Sequence, residues 1–463
     1  MEFCEAWEDT CSSVGRAARV GSYKQLKQLV RMGRPVDAAD NRGWRPLHEA
    51  AAVSKDLRCL EELLKHAKSD VNWQTHEGET ALLLACKRRH GEDAATAVRM
   101  LLRYGANVNI SDNEEETPLL AACRAGSTLV VKLLVDTGQA NVNVGDCSGW
   151  HPLHEAATTG NLDMVQILLA ANSMLDVQDE CRMTPIFTAA QHGRYQCLKI
   201  LLDAMKERGQ ERLINRGAED WATPLMIAAQ QGFTDCVELL QSYGANPNLR
   251  TVDNVTALHL AVQGNHVESV KLLLEHMDIG QVIKLCQRQD VGVLQQAEEE
   301  ATTDYVVSPL HLAIEWQSYG CLELLLTSGF PADGLLERSD LTLETLHGGL
   351  FLYETALTFA ASKGDVEGMN ILLEAGASCE ATLENILPPL VPGKEYILHK
   401  ISAVSHEFYT FSKPHYRVSH SMSFPHQLPS LNGAYLGFAI APAPPPHECG
   451  ILPTVCRKVG ILF

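Results

Sequence analysis

The sequence predicts an all-α solenoid: about ten stacked helix–loop–helix repeats with β-hairpin-like turns, followed by a disordered, Pro-rich C-terminal tail. Three observations carry that prediction. A phrase recurs at a period of about 33 residues. It reads Gly43-Trp44-Arg45-Pro46-Leu47-His48-Glu49-Ala50-Ala51 and again Gly149-Trp150-His151-Pro152-Leu153-His154-Glu155-Ala156-Ala157. Weaker copies start at Thr117-Pro118-Leu119, Thr184-Pro185-Ile186, Thr223-Pro224-Leu225, Thr256-Ala257-Leu258-His259 and Ser308-Pro309-Leu310-His311. Downstream stands a Leu-Leu pair, as in Leu101-Leu102, Leu168-Leu169 and Leu239-Leu240. A helix stop then follows, such as Gly105-Ala106-Asn107-Val108-Asn109 or Gly244-Ala245-Asn246-Pro247-Asn248.

Each part of the phrase has a physical role. Thr suits a helix N-cap, where its hydroxyl accepts from an orphan backbone amide. Pro at the first helical position lacks an N–H that would be unpaired anyway. Leu and the Ala pair give a small-residue apolar stripe, the Leu-Leu pair ends a second helix, and Gly supplies a left-handed C-cap. One such unit cannot bury its own apolar face, so neighbours must stack.

The spacing sets the domain organisation. Pro118 to Pro152 spans 34 positions, and Pro152 to Pro185 and Pro224 to Ala257 span 33 each. Three intervals are longer, at 39, 52 and 47 positions, with the excess around Lys206-Glu207-Arg208-Gly209, Gly280 to Asp304 and Gly334 to Leu352. Thr10 to Asp37 is a degenerate, more polar copy, as a capping repeat would be. The expected order is a capping repeat over residues 1–42, repeats over 43–277, an inserted loop over 278–306 and further repeats over 307–380. A degenerate transition over 381–401 and the tail over 402–463 complete it. Eleven of the 20 prolines follow Glu384, and such a stretch has no helical periodicity.

The formal net charge of −19 disfavours nucleic acid and anionic membrane surfaces as partners, because both are polyanions. No apolar run reaches the ~20 residues needed to span a bilayer. The acidic start, Met1-Glu2-Phe3-Cys4-Glu5, is not a secretory signal, so a cytoplasmic location, or a nuclear one, is expected. None of the 14 cysteines forms a Cys-x-x-Cys pair, and Cys59, Cys197, Cys236 and Cys321 share one slot before the second-helix Leu, as core thiols would. His48, His154, His259 and His311 likewise share one slot, where an imidazole can bridge backbone groups of adjacent repeats. No catalytic residue, metal ligand or cofactor is expected, and the chain is read as a protein-binding module, not an enzyme.

A partner is expected on the concave face, along the hairpin tips. The candidate contacts are Asp40, Asn41, Arg42, Trp44, Asp112, Asn113, Trp150, Asp220 and Trp221. Trp44 and Trp150 follow a turn Gly, a position that tends to be exposed, and Trp and Arg dominate interface hot spots. The alternative is that each indole packs on the next hairpin. Acidic tips and net charge together favour a basic partner surface. About 800 Å² per partner is needed, which three or four repeats could supply.

The period and the Thr-Pro-Leu-His-x-Ala phrase resemble the ankyrin repeat. The Gly-Trp turn joined to Pro-Leu-His-Glu-Ala-Ala, twice, resembles the ankyrin repeat and SOCS box proteins more specifically. So do Thr10-Cys11-Ser12, Val14-Gly15, Ala189-Ala190-Gln191-His192-Gly193 and Cys236-Val237-Glu238-Leu239-Leu240. The likeness runs from Met1 to about Ile401. It implies a substrate-recognition subunit of a cullin–RING ubiquitin ligase: the repeats hold a target, and a C-terminal SOCS box docks elongin B–elongin C and a cullin. Here the tail departs from the pattern. Leu452, Cys456 and Arg457 match the elongin-contact spacing, but Gly460 stands where that helix needs an apolar residue. The box is therefore expected to be missing or degenerate, as in a truncated or alternatively spliced form. Two functions stay open: a ligase substrate receptor, and a ligase-independent scaffold or competitive inhibitor.

Overall fold

The computed structural model describes residues 11–66, 70–253, 255–286, 308–338, 351–378 and 396–398. Among them are ten consecutive helix pairs. The first five are α1 (Ser13–Val20) with α2 (Tyr23–Arg31), α3 (Pro46–Ala52) with α4 (Leu57–His66), α5 (Ala81–Arg88) with α6 (Gly91–Arg103), α7 (Pro118–Arg124) with α8 (Thr128–Val135), and α9 (Pro152–Thr159) with α10 (Leu162–Ala170). Next come α11 (Pro185–Gln191) with α12 (Tyr195–Glu207), α13 (Pro224–Gln231) with α14 (Thr234–Ser242), and α15 (Ala257–Gln263) with α16 (Val267–His276). A lone helix, α17 (Ile279–Cys286), precedes α18 (Pro309–Glu315) with α19 (Tyr319–Thr327), and α20 (Ala356–Lys363) with α21 (Val366–Glu374) closes the series. First helices pack on first helices from α1 to α20, and second helices on second helices from α2 to α21.

The phrase works as its chemistry requires. Thr80, Thr117, Thr184, Thr223 and Thr355 each accept a hydrogen bond from the amide three residues on. Where Arg45 and His151 replace Thr, the third helical residue takes over: His48 Nδ1 accepts from the Arg45 amide at 3.0 Å and His154 Nδ1 from the His151 amide at 3.2 Å. The paired alanines, such as Ala50-Ala51, Ala156-Ala157 and Ala228-Ala229, are fully buried, so neighbouring first helices approach closely. Cys59, Cys197, Cys236 and Cys321 are buried at one recurring core position. Burial raises the thiol pKa of Cys236 and Cys321 to about 11, which leaves them protonated.

Three stretches expected to be irregular carry structure. The start of the predicted inserted loop is helix α17, because Ile279, Val282 and Ile283 fall at helical spacing and Val282 is buried. The excess before the seventh pair includes a short 3-10 helix, Glu211–Asn215, anchored by buried Leu213 and Ile214. The stretch from Gly334 to Leu352 contributes β1 (Leu335–Arg338) and leads into β2 (Phe351–Thr355). These pair antiparallel, with Leu335 opposite Thr355. β3 (Tyr396–Leu398), in the predicted transition, runs parallel to β2 with Phe351 opposite Tyr396. Phe351, Tyr353 and Thr355 in β2 and Tyr396 and Ile397 in β3 have high strand propensity, whereas β1 (Leu335-Leu336-Glu337-Arg338) is held by its pairing with β2. The helical solenoid thus carries one small sheet. The Pro-rich stretch, with Leu452, Cys456 and Arg457, lies outside the described residues.

Candidate partner-binding edge

The turns before α3, α5, α7, α9, α11, α13 and α15 share one five-residue geometry. In each, the first amide donates to the fifth carbonyl, from Asp40 to Trp44 (2.9 Å) through to Thr251 to Val255 (3.0 Å). The second amide of each turn then reaches the third carbonyl of the turn before it. His76 donates to Arg42, Asn113 to Glu77, Cys147 to Glu114, Glu180 to Ser148, Glu219 to Cys181 and Val252 to Asp220, at 2.9–3.0 Å. Seven hairpins are therefore joined by an unbroken backbone ladder, a rigid edge on which tip side chains are displayed. The fourth position is left-handed. Gly43 (φ 76°) and Gly149 (φ 69°) meet that need, and a Cβ on either would press into the next hairpin's backbone at about 3.0 Å. Glu115, Arg182 and Trp221 hold the same position at φ 61–66°.

A second row ties the repeats together behind the tips. Four Asn side chains bond the next repeat: the Asn107 amide donates to Asn72 Oδ1 (2.7 Å), Asn141 to Asn109 (2.9 Å), Met174 to Asn143 (2.8 Å) and Asn246 to Asn215 (2.8 Å). The recurring histidines act likewise. His48 Nε2 bonds the Trp73 carbonyl and His154 Nε2 the Met183 carbonyl, both at 3.0 Å and both in the next repeat. Burial drives the His154 pKa down to about 3, despite the Met183 carbonyl, so these imidazoles are neutral bridges.

The nominated residues are placed unevenly. Asp40, Asp112 and Asp146 point inward, each accepting from two amides of its own turn through Oδ1. Asp112 is buried. Burial would raise the Asp40 carboxyl, but the Arg42 guanidinium and the Trp44 amide bring it below the usual range. Trp44, expected at an exposed position, is 5% exposed. Its ring lies under the Arg42 and Arg88 guanidiniums, 4.5 and 5.1 Å from its centroid, and packs with Ala52 and Leu84. Trp150 is half-buried: Nε1 donates to Glu155 (3.0 Å) and the indole stacks on His154. Both indoles pack, though not on the next hairpin: Trp44 packs on its own repeat and on α5, and Trp150 on α9 of its own repeat. Asn41, Arg42 and Asn113 are exposed, although Asn113 Nδ2 also donates to the His76 carbonyl (2.9 Å). Asp220 is half-buried and accepts from the Ala222 amide (3.0 Å). Trp221 is 60% exposed.

Several residues outside the nominated set organise this edge. Lys87 Nζ lies 2.7 Å from both Asp112 and Glu116 and 3.6 Å from Glu79. Arg124 spans Glu116 (2.6 Å) and Asp146 (2.5 Å). Buried Glu49 takes Arg19 (2.6 Å) and Arg42 (2.8 Å). Lys87 and Arg124 sit seven residues after Thr80 and Thr117, one shared slot that sequence inspection could have marked. Buried Arg89 donates to the carbonyls of Ala50, Ala51 and Ser54, capping α3, whose end at Val53 lacks a glycine. Among the described residues, no group of three His, Cys, Asp or Glu is placed to hold a metal ion, and no helix is long and apolar enough to cross a membrane.

The family model for ankyrin repeats (3 copies) matches residues 14–112, 90–179, 170–251, 210–283 and 225–333. Human ankyrin repeat and SOCS box protein 3 is 38% identical over 199 residues, 42% of this chain and 37% of that protein. The Bos taurus protein of the same name is 38% identical over 195 residues, 42% of this chain and 36% of that protein. Human ankyrin repeat and SOCS box protein 11 is 34% identical over 145 residues, 30% of this chain and 42% of that protein. The likeness to the ankyrin repeat and SOCS box proteins, and to their third member, holds over these matched segments. The matches span little more than a third of the third member's length.

Proposed function

The chain belongs to the ankyrin-repeat proteins, and from that premise we propose that it is the substrate-recognition subunit of an elongin–cullin–RING ubiquitin ligase. The coarser statement, a protein-binding module, follows from the family and the repeats. The observation that carries the finer reading is the 38% identity to a protein named for both ankyrin repeats and a SOCS box. In this reading the ladder-joined hairpins and first helices hold a target protein. Ubiquitin transfer takes place on partner subunits, and the chain acts by raising the local concentration of target near them. Its place of action is the cytoplasm or the nucleus.

A second reading is supported by Gly460, which interrupts the stretch with Leu452, Cys456 and Arg457. It is a ligase-independent scaffold, or a competitor that occupies targets without delivering them. Co-purification of the tagged chain with elongin B–elongin C, beside a copy ending at Ile401, separates the two. Stoichiometric elongin that is lost on truncation supports the receptor. Absence of elongin from both leaves the scaffold or competitor.

A further inference from the structure

We propose that the hairpin edge of the sixth to eighth repeats, centred on Trp221, is where the partner docks, and that the docked segment is a linear stretch carrying a large apolar residue beside Lys or Arg. This rests on the reading that the stack holds a partner protein.

Three independent observations meet there. Trp221 is 60% exposed at φ 66°, in the turn position that Gly43, Gly78 and Gly149 fill elsewhere. Glu115 and Arg182 share this φ, so the turn imposes it, and a residue as bulky as Trp bears its cost without return from its own turn. The turn also lacks the usual clamp: Ala218 stands where Asp40, Asp112 and Asp146 each tie down two amides. Strained and exposed, the indole contributes little to its own fold. Trp is the residue type most enriched at binding hot spots.

The neighbouring tip extends the apolar surface. Val252 is 49% exposed, and its amide donates to the carbonyl of Asp220, the residue before Trp221. Charge then selects the ligand. Among the described residues, these three five-residue turns carry Asp179, Glu180, Glu219, Asp220 and Asp253 against the single cation Arg182. Glu180, Glu219 and Asp253 are exposed and have no ion-pair partner among the described residues. In the second to fifth repeats the first-position carboxylates are neutralised from within, Asp40 by Arg42, Asp112 by Lys87 and Asp146 by Arg124, while Glu77, Glu114 and Glu115 are exposed at those tips as well. A basic partner segment is therefore attracted along this acidic edge, and the exposed apolar pair Trp221 and Val252 fixes it on the later tips.

The test is selection of a display library of random linear peptides on the intact chain. Titrations then follow against the full-length Trp221→Gly variant and a Glu219→Gln, Asp253→Asn double variant. Enriched peptides should pair an aromatic or aliphatic residue with Lys or Arg and bind Trp221→Gly at least tenfold more weakly. They should also lose affinity to the double variant, more so at low salt. Trp221→Gly should melt no lower than the parent, which separates lost contact from lost fold. Peptides that bind Trp221→Gly as tightly as the parent overturn the inference while leaving a protein-binding stack intact. A library yielding no binder to the parent counts against both.

Discussion

The hairpin edges of the second to fifth repeats and of the sixth to eighth repeats share one backbone ladder but use their side chains differently. In the earlier stretch, Asp40, Asp112 and Asp146 turn inward onto amides and pair with Arg42, Lys87 and Arg124, while Glu77, Glu114 and Glu115 stay exposed. Trp44 is covered by two guanidiniums. In the later stretch an alanine replaces the clamp at position 218, Trp221 stands out at positive φ, and Glu180, Glu219 and Asp253 face water. A repeat architecture permits this division, because each unit answers only to its neighbours. Self-pairing in one segment stiffens the stack, and another segment can keep groups available for a partner.

The comparison can be broken most forcefully at Lys87. Lys87→Met leaves Glu79, Asp112 and Glu116 in a half-dry cluster with Arg124 as the remaining cation. The expected loss is about 3–5 kcal/mol, read by chemical denaturation, because stranded buried charge is costly. An unchanged midpoint would mean that the earlier edge is not held by its charges. Arg89→Ala should follow at about 2–3 kcal/mol, since three α3-end carbonyls lose their donor at once.

Acid sharpens the same contrast. The folded His154 pKa is pushed to about 3 by burial, and His48 is lowered as well. Unfolded imidazoles take up protons below about pH 6.5. Their stabilisation is therefore complete above that pH and is lost as pH falls from about 6.5 toward 3. The slope is up to about 1.4 kcal/mol per pH unit for each histidine, and His154→Gln should flatten it in a melting series. The smallest effect belongs to the later edge: Trp221→Gly should stabilise by about 1 kcal/mol by releasing the strained turn.

How far the sequence reached follows from what each residue depends on. Helix starts were legible because Thr, Pro and the paired alanines act within their own unit. The shared slots of His48 and His154, and of Cys59, Cys197, Cys236 and Cys321, likewise marked fold positions. Exposure was not legible. Trp44 is covered by Arg88, 44 positions on, and nothing local to Gly43-Trp44 announces it. Asp40 and Asp112 looked like surface charge because their acceptor role depends on the closed turn. Trp221 is a candidate from its place at a hairpin tip, whereas its positive φ becomes visible only when Gly43, Gly78 and Gly149 are superimposed on it. Helix α17 and the small sheet are not legible in the repeat pattern because they lie between copies of the phrase.

The most direct measurement is residue-resolved hydroxyl-radical footprinting of the intact chain, free and with a selected peptide bound. Trp221 should oxidise rapidly and Trp44 slowly in the free chain, matching exposures of 60% and 5%. Peptide should protect Trp221 and leave the tips at Asn41 and Asn113 unchanged. Rapid oxidation of Trp44 in the free chain, or protection confined to the earlier tips, would contradict the division of the edge into self-paired and partner-facing segments.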